Sequence, residues 1–170
     1  AIAAVRAQYR LDDPFLTRYL DWLGSALRGD FGESIRLQQP VSTVIASRLG
    51  LTVALATLSF LIAAITAIPL GILSASRAGT STDRFASALA LLGLSAPTFA
   101  LAILLLFLFA YLLPLFPAFG GGKSPLDTLW HLVLPAVSLA AGIGAILMRM
   151  TRAAVLRELE SDAITFARAR

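Results

Sequence analysis

Three stretches carry residues whose types and spacing invite a chemical reading. "GGGKS" at 120–124 resembles a phosphate-cradling loop. Such a loop needs a first glycine four residues ahead of its Gly-Lys-Ser/Thr and a buried strand leading into it. Both are missing here, so the chain itself is not expected to bind ATP. His131, the only histidine, stands beside Trp130 where an apolar run begins. A metal site or proton relay would need further ligands or a buried carboxylate. There is no cysteine and no acid deep in that run, so His131 reads as a packing residue at a membrane boundary. No Ser, His and Asp gather for hydrolysis. The expectation is no catalysis, no cofactor and no metal.

The third stretch is "SDAITFARAR" at 161–170. Ser161 can cap a short helix over 162–170. On it Ala163, Phe166, Ala167 and Arg170 share one side at helical spacing. Small residues allow close approach of a partner, and Phe166 can serve as an apolar anchor. The chemistry is recognition of another protein; a solvated amphipathic extension is the alternative.

The elements that would position these residues are set by hydropathy. Of 170 residues, 58% are hydrophobic and 14% charged, with mean hydropathy +0.81. A soluble domain carries about 25% charged residues. Formal charges are absent between Arg48 and Arg77, between Arg84 and Lys123, and between Asp127 and Arg149. Runs of that length can cross a hydrocarbon layer about 30 Å thick. The fold class expected is all-α, a polytopic helical membrane protein. The net charge of +4 comes from basic residues flanking the apolar runs, without an aromatic-lined basic stripe. That pattern reads as membrane topology and not as nucleic-acid binding.

Residues 1–43 are expected to form an extracytoplasmic segment. Within it Phe15, Leu16, Tyr19, Leu20, Leu23 and Leu27 make one apolar helical face. Asp13 can cap that helix, Pro14 fits its first turn, and Gly29 and Gly32 stop it. The helix either packs on neighbours or lies in the membrane interface with Tyr19 and Trp22 near the headgroups. Residues 44–170 form a partial transmembrane domain, with spans expected at 49–73, 86–113 and 132–148. Pro69 should weaken the end of the first. Gly93 and Pro97 mark a helix break in the second, and such a break needs a protein neighbour or a water cavity. They are the candidate pathway residues. The third span is short, and its Ala136, Ser138, Ala140, Ala141, Gly142, Gly144 and Ala145 permit close helix packing.

Orientation follows from the flanking charges. Residues 74–84 carry Arg77 and Arg84 against Asp83, and the tail after 148 has five arginines against three acids. Basic flanks favour the cytoplasm. This puts 74–84 and 149–170 inside, and 1–48 and 114–131 outside. An outside start with no signal peptide, no initiating Met and an end within a helical pattern together suggest a fragment that lacks at least one earlier membrane helix.

Taken in order, "LDDPFLTRYLDWLGSALRGDFGESI", "PVSTVIASRLGLTVALATLSFLIAAITAIPLGILSASRAGTSTDR", "LLGLSAPTFALAILLLFLFAYLLPLFPAFG", "HLVLPAVSLAAG" and "MTRAAVLRELESDAITFARAR" carry a family resemblance. The chain resembles the inner-membrane permease subunit of a binding-protein-dependent ABC importer, of the dipeptide, oligopeptide and nickel group. The resemblance covers nearly the whole chain. It implies an ABC importer-type transmembrane domain in a bacterial inner membrane. The implied partners are ATPase subunits, a second homologous permease subunit and an external solute-binding protein, besides the lipid bilayer. Residues 149–170 resemble the start of the family's cytoplasmic EAA loop, whose short coupling helix docks on the ATPase. Asp162, Ala163, Ala167, Arg168, Ala169 and Arg170 fall at the matching motif positions, and Phe166 supplies the anchor. Ala163, Thr165 and Phe166 depart from the residues usual there.

The implied function is ATP-driven import of peptides or a related small solute, with hydrolysis in a separate subunit. Three alternatives stand beside it. Nickel can be the imported solute of the same kind of system. An ion-coupled secondary transporter would also use Pro-broken helices. A membrane anchor without a pathway is the last.

Overall fold

A computed structural model describes residues 12–161 of the chain. They fall into two compact units that divide inside one long helix, between Thr52 and Val53.

In the first unit, α1 spans Phe15–Leu27. Pro14, with ψ 140°, occupies the capping position expected of Asp13. The start thus falls one residue later than the sequence suggested. Gly29 ends the helix at φ 85°, while the Gly29 and Asp30 N–H groups donate to the carbonyls of Ala26 and Ser25. A left-handed residue at this position is glycine's usual role. The apolar face forms as expected but stays uncovered: Phe15, Leu16, Tyr19, Leu20, Trp22 and Leu27 are all exposed. A two-residue antiparallel ribbon follows, β1 Glu33–Ser34 against β2 Gln39–Pro40, the one departure from an all-α architecture among the described residues.

Helix α2 spans Val41–Ser76. Its 36 residues amount to about 54 Å, well beyond a bilayer core. The expected span 49–73 is its middle and end. Pro69 lies inside without ending it. The ring costs one backbone bond, and helical bonding resumes beyond it. Thr52, Ser59 and Thr66 donate to the carbonyls of Arg48, Leu55 and Ile62. Those hydroxyls are thereby satisfied within the helix.

The second unit contains the end of α2, then α3 (Ser81–Ser95), α4 (Thr98–Leu106), a π-helical turn (Phe107–Leu112) and α5 (Pro125–Leu159). The expected loop at 74–84 shrinks to a tight turn, because helix continues to Ser76 and restarts at Ser81. The expected loop at 114–131 also gives way to helix at its end. Ser124 accepts a bond from the Asp127 N–H at 3.2 Å, and the Lys123 N–H donates to Asp127 Oδ2 at 2.7 Å. With Pro125 in the first turn, this reciprocal cap starts α5 well before residue 132. The helix that holds the expected span 132–148 therefore extends beyond it at both ends.

Helices α2 and α5 are long and apolar enough to cross a membrane; α3 and α4, bent by 104°, count as a third crossing if taken together. The contacts favour one crossing. Asp83 meets Arg152, Gly93 lies against Ala141, and Phe116 beyond α4 stacks on Trp130 at 4.4 Å. The bent pair thus runs antiparallel along α5 from residue 152 back to 130, about 33 Å at the helical rise. On α2, Ala67 meets Gly144 and Gly71 meets Thr151, so α2 and α5 run in the same direction.

Small residues make these approaches possible. Ser59, Ala63, Ala67, Gly71 and Ser74 form a buried stripe on α2. Ala67, Ala86, Ala90, Ala145 and Met148 form the core cluster where three helices converge. In lipid, close backbone approach replaces the hydrophobic drive that would pack such helices in water. The small-residue face expected for the third span is thus the face that packs.

Candidate functional site

The one buried charged side chain among the described residues sits at the end of this bundle. Asp83 occupies the first turn of α3, beyond the apolar run of that span. It is 5% exposed. The Arg152 guanidinium from α5 grips it with a two-pronged pair: Nε to Oδ1 at 2.7 Å and Nη2 to Oδ2 at 2.8 Å. Ser74 Oγ, from the last turn of α2, donates to Oδ1 at 2.5 Å, and the Gly79 N–H donates to Oδ2 at 2.9 Å.

Local sequence explains how the acid is presented. Gly79, at φ 79°, lets the chain reverse between Ser76 and Ser81. Three residues past the capping position of Thr80, Asp83 reaches back over the turn to the Gly79 N–H. A carboxylate there also faces the positive end of the helix dipole. Charge-assisted, forked bonds are the strong kind. The Arg152 guanidinium, the Ser74 hydroxyl and the Gly79 N–H hold the Asp83 carboxyl well below the usual carboxylate range; burial opposes them and loses. One carboxylate therefore fastens α2, α3 and α5 together. The arrangement is that of a joint between helices.

Above it, a cavity of about 260 Å³ opens between the same three helices, lined by residues such as Thr66, Ala67, Ala90, Gly93, Gly144 and Met148. Gly93 is where the helices touch: a Cβ there would lie 2.9 Å from the Ala141 carbonyl oxygen and 3.3 Å from Ala145 Cβ. Pro97 stands at the 104° break, capping α4, and is exposed. Its carbonyl accepts from the N–H groups of Ala100 and Leu101. Gly93 and Pro97 therefore part company, one in a helix contact and the other at the bend.

The remaining candidates separate as well. His131 Nδ1 sits 2.8 Å from the Asp127 carbonyl one turn earlier, and Gly120 passes close to the ring. The "GGGKS" residues serve the cap of α5, through the Lys123 N–H and Ser124 Oγ. The coupling residues Asp162, Ala163, Phe166, Ala167, Arg168 and Arg170 lie outside the described residues, as does the rest of the 162–170 segment. What precedes them is described: α5 runs from the pair at Arg152 to Leu159, with Ser161 just beyond.

Sequence reading missed the Asp83–Arg152 pair. In the sequence Arg152 is one of five arginines after residue 148, and Asp83 lies between two apolar runs. A usable signal existed: Gly-Thr-x-x-Asp spells a helix start with an acid reaching backward, at the same end of the bundle as a lone row of arginines.

Residues 67–170 match the family described as the inner membrane component of binding-protein-dependent transport systems. The chain is 41% identical to a protein of Brucella ovis named as a peptide permease, over 98% of this chain and 54% of that protein. It is 38% identical to the oligopeptide transport system permease AppB of Bacillus subtilis, over 96% of this chain and 54% of that protein. It is 37% identical to the dipeptide transport system permease DppB of the same organism, over 98% and 53%. The chain spans about half the length of the curated relatives it matches.

Proposed function

The chain belongs to the inner membrane components of binding-protein-dependent transport systems, a multi-pass inner-membrane family, and on that premise we propose that it is part of a permease for ATP-driven import of peptides. The names of its relatives from Brucella ovis and Bacillus subtilis refer to peptides, oligopeptides and dipeptides. Those names favour peptide over nickel as the solute. They also favour an ABC-type system over an ion-coupled carrier.

One observation carries the mechanical part of this reading. Helix α5 is continuous from its cap at Ser124 to Leu159, and near its inner end Arg152 grips Asp83. In the proposed mechanism residues 162–170 dock on an ATPase subunit through Phe166, with Asp162, Ala163, Ala167, Arg168 and Arg170 around it. Closure of the ATPase pair displaces that segment. Helix α5 moves with it, and the Asp83 pair carries α2 and α3 along. A rigid element gripped at one end is a recognised way to transmit such a change. The permease forms no covalent bond; hydrolysis belongs to the ATPase.

The same reading places 74–84 and 149–170 in the cytoplasm and 114–131 outside. Residues 1–43 form the outer segment and 44–170 the partial membrane domain. Gly93 and Pro97 shape the pathway, Gly93 by fixing α3 to α5 and Pro97 by setting the bend between α3 and α4. A second permease subunit and an external solute-binding protein complete the assembly. The test is peptide uptake by the full-length permease reconstituted with its ATPases and binding protein. Uptake should require ATP and persist when ion gradients are collapsed. Loss of uptake on collapse, with ATP held high, would rule the reading out.

A further inference from the structure

Beside the Asp83–Arg152 pair, a separate opening of about 420 Å³ lies between α3 and α5, lined by Ser87, Leu91, Arg149, Arg152 and Ala153. Arg149 and Ser87 have no hydrogen-bond or ion-pair partner among the described residues. Arg152 directs two N–H groups at Asp83, which leaves three of a guanidinium's five donors for another acceptor. Two guanidinium groups against one carboxylate leave this corner with a single net positive charge. Arg149 is also the first formal charge after the charge-free run that begins beyond Asp127, so it stands where hydrocarbon gives way to headgroups. On the apolar side Leu91 is 61% exposed, and Ile146, one turn before Arg149, is 52% exposed.

The geometry points to a binding site for the phosphate of an anionic phospholipid. The phosphodiester sits between Arg149 and Arg152, the Ser87 hydroxyl donates to it, and an acyl chain lies on Leu91. One negative charge matches the net charge of the corner. Basic pockets between membrane helices on the cytoplasmic side suit such headgroups. Free phosphate offers the same acceptor oxygens, but it has no use for the apolar side of the opening. A lipid bound here contacts Arg152 itself and so loads the joint that fastens α3 to α5.

The test uses the full-length permease purified from vesicles of mixed phosphatidylcholine and phosphatidylglycerol, with retained lipid counted by native mass spectrometry. The parent is expected to retain phosphatidylglycerol preferentially. Arg149→Gln should lower that retention about fivefold, the effect of one surface cation near anionic lipid. Ser87→Ala, which disturbs no ion pair, should lower it less but in the same direction. Arg157→Gln, an exposed arginine outside the opening, should leave it unchanged. Equal retention of both lipids by the parent would overturn the proposal. So would an equal loss from Arg157→Gln. Displacement of the lipid by millimolar inorganic phosphate would overturn the lipid as the ligand.

Discussion

Asp83 and Arg152, 69 residues apart in sequence, meet in a two-pronged ion pair with bonds of 2.7 and 2.8 Å. Ser74 joins it from a third helix. Neutralising Arg152 would leave Asp83 buried without its counter-charge, which costs more than the pair itself contributes; neutralising Asp83 would leave the part-exposed Arg152 without its forked partner. Asp83→Asn and Arg152→Gln should each lower the thermal midpoint of the full-length protein in detergent. The charge swap Asp83→Arg with Arg152→Asp should recover only part of the loss, because Ser74 and Gly79 are placed to serve a carboxylate. Unchanged midpoints in both single variants would remove the pair from the account.

The pair also predicts a pH dependence. Its partners depress the Asp83 carboxyl in the folded state. Stabilisation from a depressed acid is fully present above the unfolded value, about 3.9, and is lost as pH falls through the folded value. The gap in thermal midpoint between parent and Asp83→Asn should therefore stay flat from about pH 5 to 8 and narrow below about pH 4. A gap that closes near neutrality would contradict the assignment.

Helix contact is tested at two glycines of α2. A Cβ on Gly71 would lie 2.7 Å from Thr151 Cβ and 2.8 Å from the Met148 carbonyl oxygen, whereas one on Gly50 meets nothing within 4 Å. Gly71→Ala should destabilise by about 1–3 kcal/mol through overpacking. Gly50→Ala should be neutral or stabilising by up to about 1 kcal/mol through helix propensity. Thermal unfolding of the two variants side by side checks the contrast.

Sidedness is open to direct labelling. Single cysteines at Ser76 and Ser124, in an otherwise cysteine-free permease, should differ in reaction with an impermeant maleimide added from outside. Position 124 should label and position 76 should not. The reverse pattern would invert the topology.

Much of this architecture was legible because a membrane span is a local property. A charge-free run shows wherever it lies, and so do the small residues at 136–145 that became the packing face of α5. Pro97 announced a break by its missing N–H, and the break is there. The misses needed information that periodicity does not hold. Residues 114–131 look like loop by their Pro and Gly content, yet Ser124, Pro125 and Asp127 together form a helix cap. Asp83 looks like a loop acid until α2 and α5 are set beside it. Its partner is chosen by the register of three helices, which composition and spacing along one segment cannot express. The uncovered aromatic face of α1 was readable as a face, but sequence alone left its neighbour open.

The central claim is that residues 162–170 connect this membrane domain to an ATPase. The most direct measurement is ATP hydrolysis by the complete reconstituted complex, with and without loaded binding protein, for the parent and Phe166→Asp. Burying a Phe side chain contributes roughly 1.5–3 kcal/mol, so losing it should weaken docking by about tenfold or more, and a carboxylate in its place should weaken it further. The account predicts that Phe166→Asp abolishes stimulation of hydrolysis by loaded binding protein. Stimulation equal to the parent's, in a complex that assembles normally, would contradict it.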